Sequence, residues 1–379
     1  MGAAGRRPRR ALAAPHAALA PTRRGAQRAH RAGGPSVTAP PASNTSTDTV
    51  LEVDGLCVDI RTPHGTVRAV DTVSFAARRG ETLALLGESG CGKSMTARAV
   101  VGLLDPVAEV TGGAVRLGGH DSGGADAVDL LTIDEPTRRA KAGPEIAIVF
   151  QDALTALNPV YPVGTQLAEP FRIHRGLSRR EARKAAVDLM ARVGIPEPEV
   201  RADSYPHQFS GGMRQRLLIA MAVALHPRVL IADEPTTALD VTVQAQIMRL
   251  LRDLRTEQRM ALVLITHDLP LVAEEADRVA VMYAGSVVET GPVDEVFTDP
   301  RHPYSKGLLD SVPDHGLRGE PLPSIPGLPP DLHAIPAGCV FQDRCPLVRD
   351  RCRAERPPLA PHGSTRATAC FFPDEVPNV

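Results

Sequence analysis

A short apolar run followed directly by a glycine-rich loop constrains this chain more than any other feature. Thr82–Leu86 has the composition of a strand that is buried on both faces of a sheet. The loop GESGCGKS, from Gly87 to Ser94, follows without a spacer, and Ser94–Leu104 has the pattern of a helix. A buried strand that passes through such a loop into a helix predicts an α/β fold with the loop at one edge of a parallel sheet.

The glycine-rich loop also predicts a chemistry. It matches the pattern G-x-x-x-x-G-K-S/T, in which backbone N–H groups turn inward around phosphates. Lys93 would reach the β- and γ-phosphate oxygens, and the Ser94 hydroxyl would hold Mg²⁺. A chance glycine turn is the alternative, and the strand before it and helix after it argue against that alternative. The expected ATP-binding residues are Gly87, Glu88, Ser89, Gly90, Cys91, Gly92, Lys93, Ser94 and Met95.

An acidic pair ends a second apolar run, Val229–Ala232. Asp233 and Glu234 therefore lie at the carboxyl end of a central strand, where ligands bind in open α/β sheets. Asp233 suits Mg²⁺, and Glu234 suits the polarisation of an attacking water. Most acidic pairs after strands are helix caps or solvated loop residues, but a phosphate loop in the same chain favours the functional interpretation.

The order of the apolar runs predicts how the rest of the chain is organised. Strand-like runs alternate with helical patterns, which argues for a largely parallel sheet. Asp152–Leu225 contains no such run and predicts a helical insertion. The other predicted elements are strands at Leu51–Ile60, Val67–Phe75, Glu145–Phe150 and Ala261–Ile265, a hairpin at Val279–Glu289, and helices at Arg179–Arg192 and Val241–Glu257.

Ser210-Gly211-Gly212 is a second sequence suited to anions. It opens a predicted helix, Met213–Leu225, so a hydroxyl and bare backbone amides lie at a helix start. A plain serine cap followed by flexible glycines is the alternative. Because one molecule can hardly use this sequence and the phosphate loop on the same nucleotide, we expect two chains to close face to face over ATP.

Together these motifs resemble the ATP-binding subunits of ABC transporters, over residues 50–300. The resemblance implies three further site residues. Gln151 would contact Mg²⁺ and water and sense the membrane partner. Asp240, in Ala238-Leu239-Asp240, would belong to the loop that communicates between paired subunits. His267 would contact the γ-phosphate, although a lone histidine is more often structural.

Two positions depart from the family's pattern. Met213 stands where the fifth signature residue is commonly Gln, which leaves the serine and glycine donors intact. An aromatic residue that stacks on adenine is not evident. His64 is the best-placed substitute, and an ordinary turn residue is the alternative interpretation.

The resemblance implies an α/β fold: a P-loop NTPase (RecA-like) core with an antiparallel β subdomain, an α-helical insertion and a small cysteine-containing carboxyl-terminal extension. The expected boundaries are 49–300 for the ATPase domain, about 152–225 for its helical subdomain and 301–379 for the extension. Residues 1–48 are rich in Ala, Arg and Pro, which predicts a disordered basic tail. A targeting segment is the alternative, since Arg6-Arg7 precedes an Ala-rich stretch.

A segment after the ATPase domain narrows the resemblance. Asp299–Leu309, the signature form Phe209–Arg216 and Asn158-Pro159 are similar to the oligopeptide and dipeptide importer branch, with which nickel importers share much. This branch implies a second ATPase subunit, either a sibling or a second copy. It also implies two membrane permease subunits and an extracytoplasmic substrate-binding protein. The chain would then act at the cytoplasmic face of the cell membrane.

Composition argues against two other assignments. The formal charge of −1 gives no drive toward nucleic acid, which speaks against a soluble ABC ATPase of DNA repair or translation. The longest charge-free apolar stretch, Leu217–Leu225, is far shorter than the ~20 residues that span a bilayer. We therefore expect neither a nucleic-acid partner nor a membrane crossing by this chain itself.

Four of the six cysteines cluster near the carboxyl terminus, and a metal site is expected there because a cytosolic ATPase has little use for disulfides. Four thiolates suit Zn²⁺ or an iron–sulfur cluster, but zinc sites usually pair cysteines more closely in sequence than any two here. The cluster resembles the four-cysteine motif of peptide-importer ATPases, which is associated with a 4Fe–4S cluster. Zinc, no metal, and a metal-dependent sensor are the alternatives. The four residues are Cys339, Cys345, Cys352 and Cys370.

Overall fold

The structure is a computed structural model that describes residues 48–118, 127–237, 239–312 and 324–378. The predicted basic tail lies outside these ranges except for Asp48, as does Ala238 of the predicted communication loop. The strands are β1 Thr49–Thr62, β2 Gly65–Arg78, β3 Thr82–Leu86, β4 Ala108–Leu117, β5 Val128–Asp129, β6 Ile146–Val149, β7 Val229–Asp233, β8 Ala261–Thr266, β9 Arg278–Tyr283, β10 Ser286–Pro292, β11 Ala360–His362 and β12 Arg366–Thr368.

Helices make up most of the remaining regular structure. They are α1 Lys93–Val101, α2 Glu135–Lys141, α3 Ala153–Ala156, α4 Val163–Arg175, α5 Arg179–Arg192, α6 Pro198–Arg201, α7 Gly211–Val223, α8 Val241–Gln258, α9 Leu269–Glu275, α10 Val293–Thr298, α11 Pro303–Asp310 and α12 Asp350–Ala354. No helix in the described ranges combines the length and the hydrophobicity that a membrane span requires.

The larger of two sheets carries the parallel strands. Its order is β11-β12-β10-β9-β3-β8-β7-β6, and the strands from β9 to β6 in that order run parallel. β3, β7 and β8 are buried along their whole length, as their continuous apolar sequences predict. The predicted α/β fold is thus confirmed. Because parallel strands share one carboxyl edge, the loops after β3, β6, β7 and β8 lie on the same side of the sheet.

The smaller sheet is antiparallel, in the order β2-β1-β4-β5. Its apolar face shares a core with β3 and α1, in which Leu56, Val73 and Leu85 are buried. β1 and β2 match strands predicted from the sequence, whereas β4 was not predicted, since Gly112-Gly113 has the composition of a turn. In the structure these glycines mark an irregular register between β1 and β4. Gly113 has a φ of 94°, and a Cβ there would lie 2.6 Å from the Gly55 backbone.

Helices α3 to α7 follow one another between β6 and β7, as the absence of strand-like runs predicts. α5 begins at a capping box in which Ser178 and Glu181 bond each other's backbone N–H groups. These helices have a core of their own, in which Leu167, Met190 and Leu217 are fully buried. That core is continuous with the side chains under β6 and β7, so the helices are packed firmly on the main sheet.

The chain from residue 301 onward, the carboxyl-terminal part, packs back onto the main sheet, where β12 pairs with β10. The buried Glu289 carboxylate on β10 accepts hydrogen bonds from the backbone N–H groups of Arg301 (2.8 Å) and His302 (3.0 Å). It also forms an ion pair with Arg366 on β12 at 2.8 Å. One carboxylate therefore fixes both β12 and the start of α11, which gives the Asp299–Leu309 segment a packing role.

Candidate functional site

Residues from four loops meet at the carboxyl edge of the parallel strands. The phosphate loop follows β3, Gln151 follows β6, the acidic pair ends β7, and His267 follows β8. Hydrogen bonds connect Ser94 to Asp233 and both Gln151 and His267 to Glu234. The structure thus brings together residues that the sequence spreads over more than half of the ATPase domain.

Two glycines of the phosphate loop occupy positions that a side chain would block. A Cβ on Gly87 would lie 2.2 Å from the Met282 carbonyl oxygen, and one on Gly92 would lie 2.6 Å from the Ala69 carbonyl oxygen. Gly92 also has a φ of 101°, which favours glycine. The loop is therefore held tightly against the neighbouring backbone. Of its other residues, Ser89 and Gly90 are exposed and Cys91 is buried. Met95, directly after the loop, packs against the core that the small sheet shares with β3.

Lys93 is the buried cation of this loop, only 5% exposed. Its Nζ donates to the carbonyl oxygens of Gly87 (2.7 Å) and Glu88 (3.0 Å). Phosphate oxygens are acceptors of the same kind, so the ammonium can exchange a loop carbonyl for a phosphate. The constricted glycine loop, the buried ammonium and the Ser94 hydroxyl beside a carboxylate together fit ATP and Mg²⁺.

Asp233 is a buried carboxylate, 3% exposed, and its Oδ1 accepts the Ser94 hydroxyl at 2.9 Å. Burial raises the pKa of Asp233, the Ser94 hydrogen bond opposes that shift, and the neighbouring charge of Glu234 adds to it. A desolvated carboxylate next to a second one gains most from a cation. The pair of Ser94 and Asp233 is therefore a suitable set of oxygen donors for Mg²⁺.

Glu234 is held by three side chains. Gln151 Nε2 and Thr237 Oγ1 each donate to Glu234 Oε2 at 2.8 Å, and His267 Nδ1 lies 3.1 Å from Oε1. Burial acts to raise the pKa of Glu234, but the Thr237 and His267 hydrogen bonds and the charge of Lys93 outweigh it, so the pKa is lowered. Its backbone φ of 45° is uncommon for a non-glycine residue. The group is thus an ionised carboxylate in a fixed orientation, which is what a general base requires.

The signature sequence lies at the start of α7. Ser210 caps that helix, since its Oγ accepts the Met213 N–H at 3.4 Å. A Cβ on Gly212 would lie 2.6 Å from Val243 of α8, so this glycine lets two helices approach closely. Asp240 caps α8 in turn, accepting the Val243 N–H at 2.9 Å. Ser210, Gly211 and Asp240 are exposed, and no hydrogen bond described for Ser210, Gly211 or Gly212 reaches the phosphate loop.

His64 lies in the exposed turn between β1 and β2. Its ring is edge-on to that of His333, with 6.4 Å between the ring centroids. The carboxyl-terminal segment thus reaches the turn in which adenine stacking is predicted, and that stacking role stays a prediction.

Comparisons with known proteins bear on this arrangement. Residues 70–237 match the family described as ABC transporter, and residues 288–352 match the family described as oligopeptide/dipeptide transporter, C-terminal region. The dipeptide transport ATP-binding protein DppD of Escherichia coli K12 is 47% identical over 86% of this chain and 97% of that protein. The chain belongs to the ABC transporter family as an ATP-binding subunit.

Other matches agree with this assignment. A putative peptide import ATP-binding protein of Brucella abortus strain 2308 is 48% identical over 86% of this chain and 98% of that protein. A solved structure described as a dimeric post-hydrolysis state of the ATP-binding cassette MJ0796 bound to ADP and Pi matches with a TM-score of 0.56. It is 26% identical, over 64% of this chain and 98% of that chain. The ABC subunit is accordingly an ATPase, and a soluble ATPase of DNA repair or translation and a nickel importer are not favoured.

In this ABC subunit the four carboxyl-terminal cysteines line one small cavity of about 10 Å³. That volume is roughly the room for a single water molecule. All four are free thiols, and their chain segments converge from α12 and from loops on either side of it. Burial raises the pKa of Cys345 to about 11 and that of Cys370 to about 12, so these two thiols are protonated at neutral pH.

The convergence of the cysteines does not amount to a metal site. Over the part of the chain that the structure describes, no three His, Cys, Asp or Glu side chains are placed to hold a metal ion together. The four thiols are instead desolvated and pack as small apolar side chains. The predicted iron–sulfur cluster, and equally the zinc alternative, is therefore not supported by the arrangement of the side chains.

Three residues of the site were not predicted from the sequence. Thr237 bonds Glu234 from three positions further along, and a hydroxyl at that spacing was a usable signal. Tyr304 and Arg344 contact Glu88 of the phosphate loop from the carboxyl-terminal part. The separation of Arg344 from Glu88 is 256 residues, and no local pattern connects them.

Proposed function

We propose that this chain hydrolyses ATP to drive the import of oligopeptides or dipeptides. The observation that carries this proposal is the 47% identity to a dipeptide transport ATP-binding protein over 97% of that protein's length. The match of residues 288–352 to the carboxyl-terminal region of oligopeptide/dipeptide transporters supports the same solute class. The chain would work at the cytoplasmic face of the cell membrane.

Binding of ATP is assigned to the phosphate loop. Lys93 and the inward-turned backbone N–H groups from Gly87 to Met95 would hold the phosphates, with His64 against the adenine. Ser94, Asp233 and Gln151 would hold Mg²⁺, which neutralises phosphate charge when bound. The hydrogen bond between Ser94 and Asp233 supports this assignment, because it already places two of the oxygen donors side by side.

Glu234 is the proposed general base. Its lowered pKa keeps it ionised at neutral pH, and its two oxygens are oriented by Gln151, Thr237 and His267. An ionised carboxylate that only accepts hydrogen bonds can align a water and take its proton. His267, 58% exposed, would orient Glu234 and contact the γ-phosphate.

Each nucleotide site is proposed to be completed by a second ATPase subunit, either a sibling or another copy. The signature residues support this arrangement, because Ser210 and Gly211 are exposed at a helix start and make no described hydrogen bond to their own phosphate loop. Ser210, Gly211 and Gly212 would contact the nucleotide of the partner. Asp240 caps α8 at Val243, the residue that packs against Gly212, and would transmit the state of one site to the other.

A cleft of about 330 Å³ between the helical insertion and the main sheet is the proposed contact with a permease subunit. Two of its apolar side chains are open to solvent, Ile173 (67% exposed) and Leu103 (53%). Gln166, also in the wall, donates from Nε2 to the carbonyl oxygens of Asn158 and Tyr161, each at 2.9 Å. Asn158 and Tyr161 belong to the segment between β6 and α4, which also contains Gln151. A permease loop bound in the cleft would therefore move Gln151, which is hydrogen-bonded to Glu234.

Two permease subunits and an extracytoplasmic substrate-binding protein would complete the transporter. The experiment is uptake of a labelled dipeptide into vesicles that contain the permeases, the binding protein and this chain. ATP-dependent uptake that disappears with Lys93→Ala is the expected result. Uptake of Ni²⁺ but of no peptide would contradict the solute class, whereas vesicles with all the subunits that hydrolyse ATP but take up no solute would contradict the transport role.

The four cysteines are retained as a proposed iron–sulfur site, with zinc as the alternative. The four thiols as they are arranged in the structure fit neither an iron–sulfur cluster nor a zinc ion. The cavity would have to open, and the thiols would lose their protons when the metal binds. Iron and acid-labile sulfide in protein purified without oxygen would support the cluster, and one zinc per chain would support the alternative. Protein that is folded and free of both contradicts a metal site.

A further inference from the structure

Glu88 of the phosphate loop is bound by two residues of the carboxyl-terminal part. Its backbone N–H donates to Tyr304 Oη at 2.9 Å. Its carboxylate accepts two bonds from Arg344, at 2.9 Å from Nη1 to Oε2 and at 3.1 Å from Nη2 to Oε1. A bidentate guanidinium–carboxylate pair fixes both distance and orientation.

Arg344 is itself held rigidly. Its side chain is 6% exposed, and its Nε donates to the Pro326 carbonyl oxygen at 3.0 Å. The guanidinium lies 5.7 Å from the centre of the Tyr283 ring and 6.0 Å from that of Phe341. These rings, with Tyr304, form a packed aromatic cluster. Arg344 is thus a fixed point rather than a mobile surface side chain.

The ion pair between Arg344 and Glu88 fixes the residue that also holds Lys93. The Glu88 carbonyl oxygen accepts a hydrogen bond from Lys93 Nζ at 3.0 Å, so the backbone of Glu88 sets one end of the lysine's position. The Glu88 side chain brings a negative charge to a loop that must accept an anionic ligand. An opposite charge beside that carboxylate removes the repulsion it would exert on phosphates.

We propose that Arg344 is a positioning residue for ATP binding, through which the carboxyl-terminal part holds and neutralises Glu88 in the phosphate loop. Tyr304 supports the same residue from its backbone side. This role depends on ATP binding by an ABC subunit and not on which solute is transported.

The test is ATP affinity of the full-length chain, measured by titration calorimetry. Arg344→Gln is expected to weaken ATP binding about tenfold, within the usual range for coupling between sites. Arg356→Gln is the matched control. Arg356 belongs to the same segment and forms an ion pair with Asp71 of β2, not with the phosphate loop. Its ATP affinity is expected to equal that of the unaltered chain.

A double substitution separates an effect of Arg344 through Glu88 from a general loss of structure. If Arg344 acts through Glu88, the variant that combines Glu88→Gln with Arg344→Gln binds ATP no more weakly than Arg344→Gln alone. Should Arg344→Gln fail to fold, Tyr304→Phe keeps the ring, removes the acceptor of the Glu88 N–H, and is expected to weaken binding about threefold. Unchanged ATP affinity in the folded Arg344→Gln and Tyr304→Phe variants overturns the proposal. So does a double variant whose loss of affinity is the product of the losses in Glu88→Gln and Arg344→Gln. An equal loss of affinity in Arg356→Gln also overturns it. An unaltered chain that binds no ATP would instead contradict the nucleotide site itself.

Discussion

The Ser94 hydroxyl donates a 2.9 Å hydrogen bond to the Asp233 carboxylate, which joins the phosphate loop to β7 across 139 positions of sequence. Two oxygen donors of the kind that Mg²⁺ prefers are thereby adjacent before any ligand arrives. The strand β7 is buried along its whole length and Asp233 is its last residue, so the carboxylate has little freedom. Preorganised donors of this sort predict a strong dependence of activity on the Asp233 charge.

Asp233→Asn keeps the shape and an oxygen acceptor for Ser94 but removes the charge. We expect ATPase activity at fixed Mg²⁺ to fall about 100-fold and to recover partly as Mg²⁺ is raised. Initial rates over a Mg²⁺ titration measure this effect. Asp253→Asn, on the exposed face of α8, is the control and should leave the titration unchanged. A variant with the same Mg²⁺ dependence as the unaltered chain would remove Asp233 from the metal site.

Glu234→Gln tests the base. The amide cannot take a proton from water, so hydrolysis is expected to drop about 10²- to 10⁴-fold. Binding of ATP should persist, because Lys93 and the loop are untouched, and the ATP-loaded pair of subunits should accumulate. Phosphate release and size-exclusion chromatography with ATP measure the two effects. Glu257→Gln, in a surface ion pair with Arg192, serves as the control. Hydrolysis at the normal rate by Glu234→Gln rules out Glu234 as the base.

Local sequence predicted the parts of this site that depend on short segments. The strand at Thr82–Leu86 and the loop after it are as predicted, because a buried strand, a constricted glycine loop and a helix form one continuous unit. The acidic pair at Asp233 and Glu234 likewise follows from where an apolar strand ends. In each case, neighbours within a few residues decide the conformation.

Long-range contacts set the limit of that prediction. The partners of Glu88 lie 216 and 256 residues away, in segments whose local sequence gives no reason to meet the loop. The four cysteines were predicted to lie together, and they line one cavity, but their protonation depends on burial that only the folded chain shows. A glycine pair in β4 was also ambiguous, since turns and bulges use the same residues.

His302 predicts a pH dependence of stability. Burial lowers its pKa to about 3, and its Nδ1 accepts the Tyr304 N–H, which requires the neutral ring. The unfolded chain takes up a proton below about pH 6.5 while the folded chain does not until near pH 3. Stability contributed by this residue is therefore present above about pH 6.5 and lost as pH falls toward 3, by about 1.4 kcal/mol per pH unit.

His302→Asn should make that dependence shallower. Asparagine can still cap α11 through its side-chain oxygen but does not titrate. Urea unfolding at a series of pH values between 4 and 7 measures the free energy of unfolding. Its slope against pH should show that the variant takes up about one proton fewer on unfolding than the unaltered chain. The exposed His207, substituted by Asn, is the control. Equal slopes for His302→Asn and the unaltered chain would show that His302 is not kept neutral.

Sharing of each ATP between two subunits is the central claim, and turnover per chain as a function of protein concentration tests it most directly. The full-length chain is assayed over a dilution series while sedimentation reports the fraction of monomer. We predict that the monomer hydrolyses ATP about 100-fold more slowly than the paired subunits, because it lacks the Ser210 and Gly212 donors of its partner. A turnover rate that stays constant down to fully monomeric protein would contradict the account.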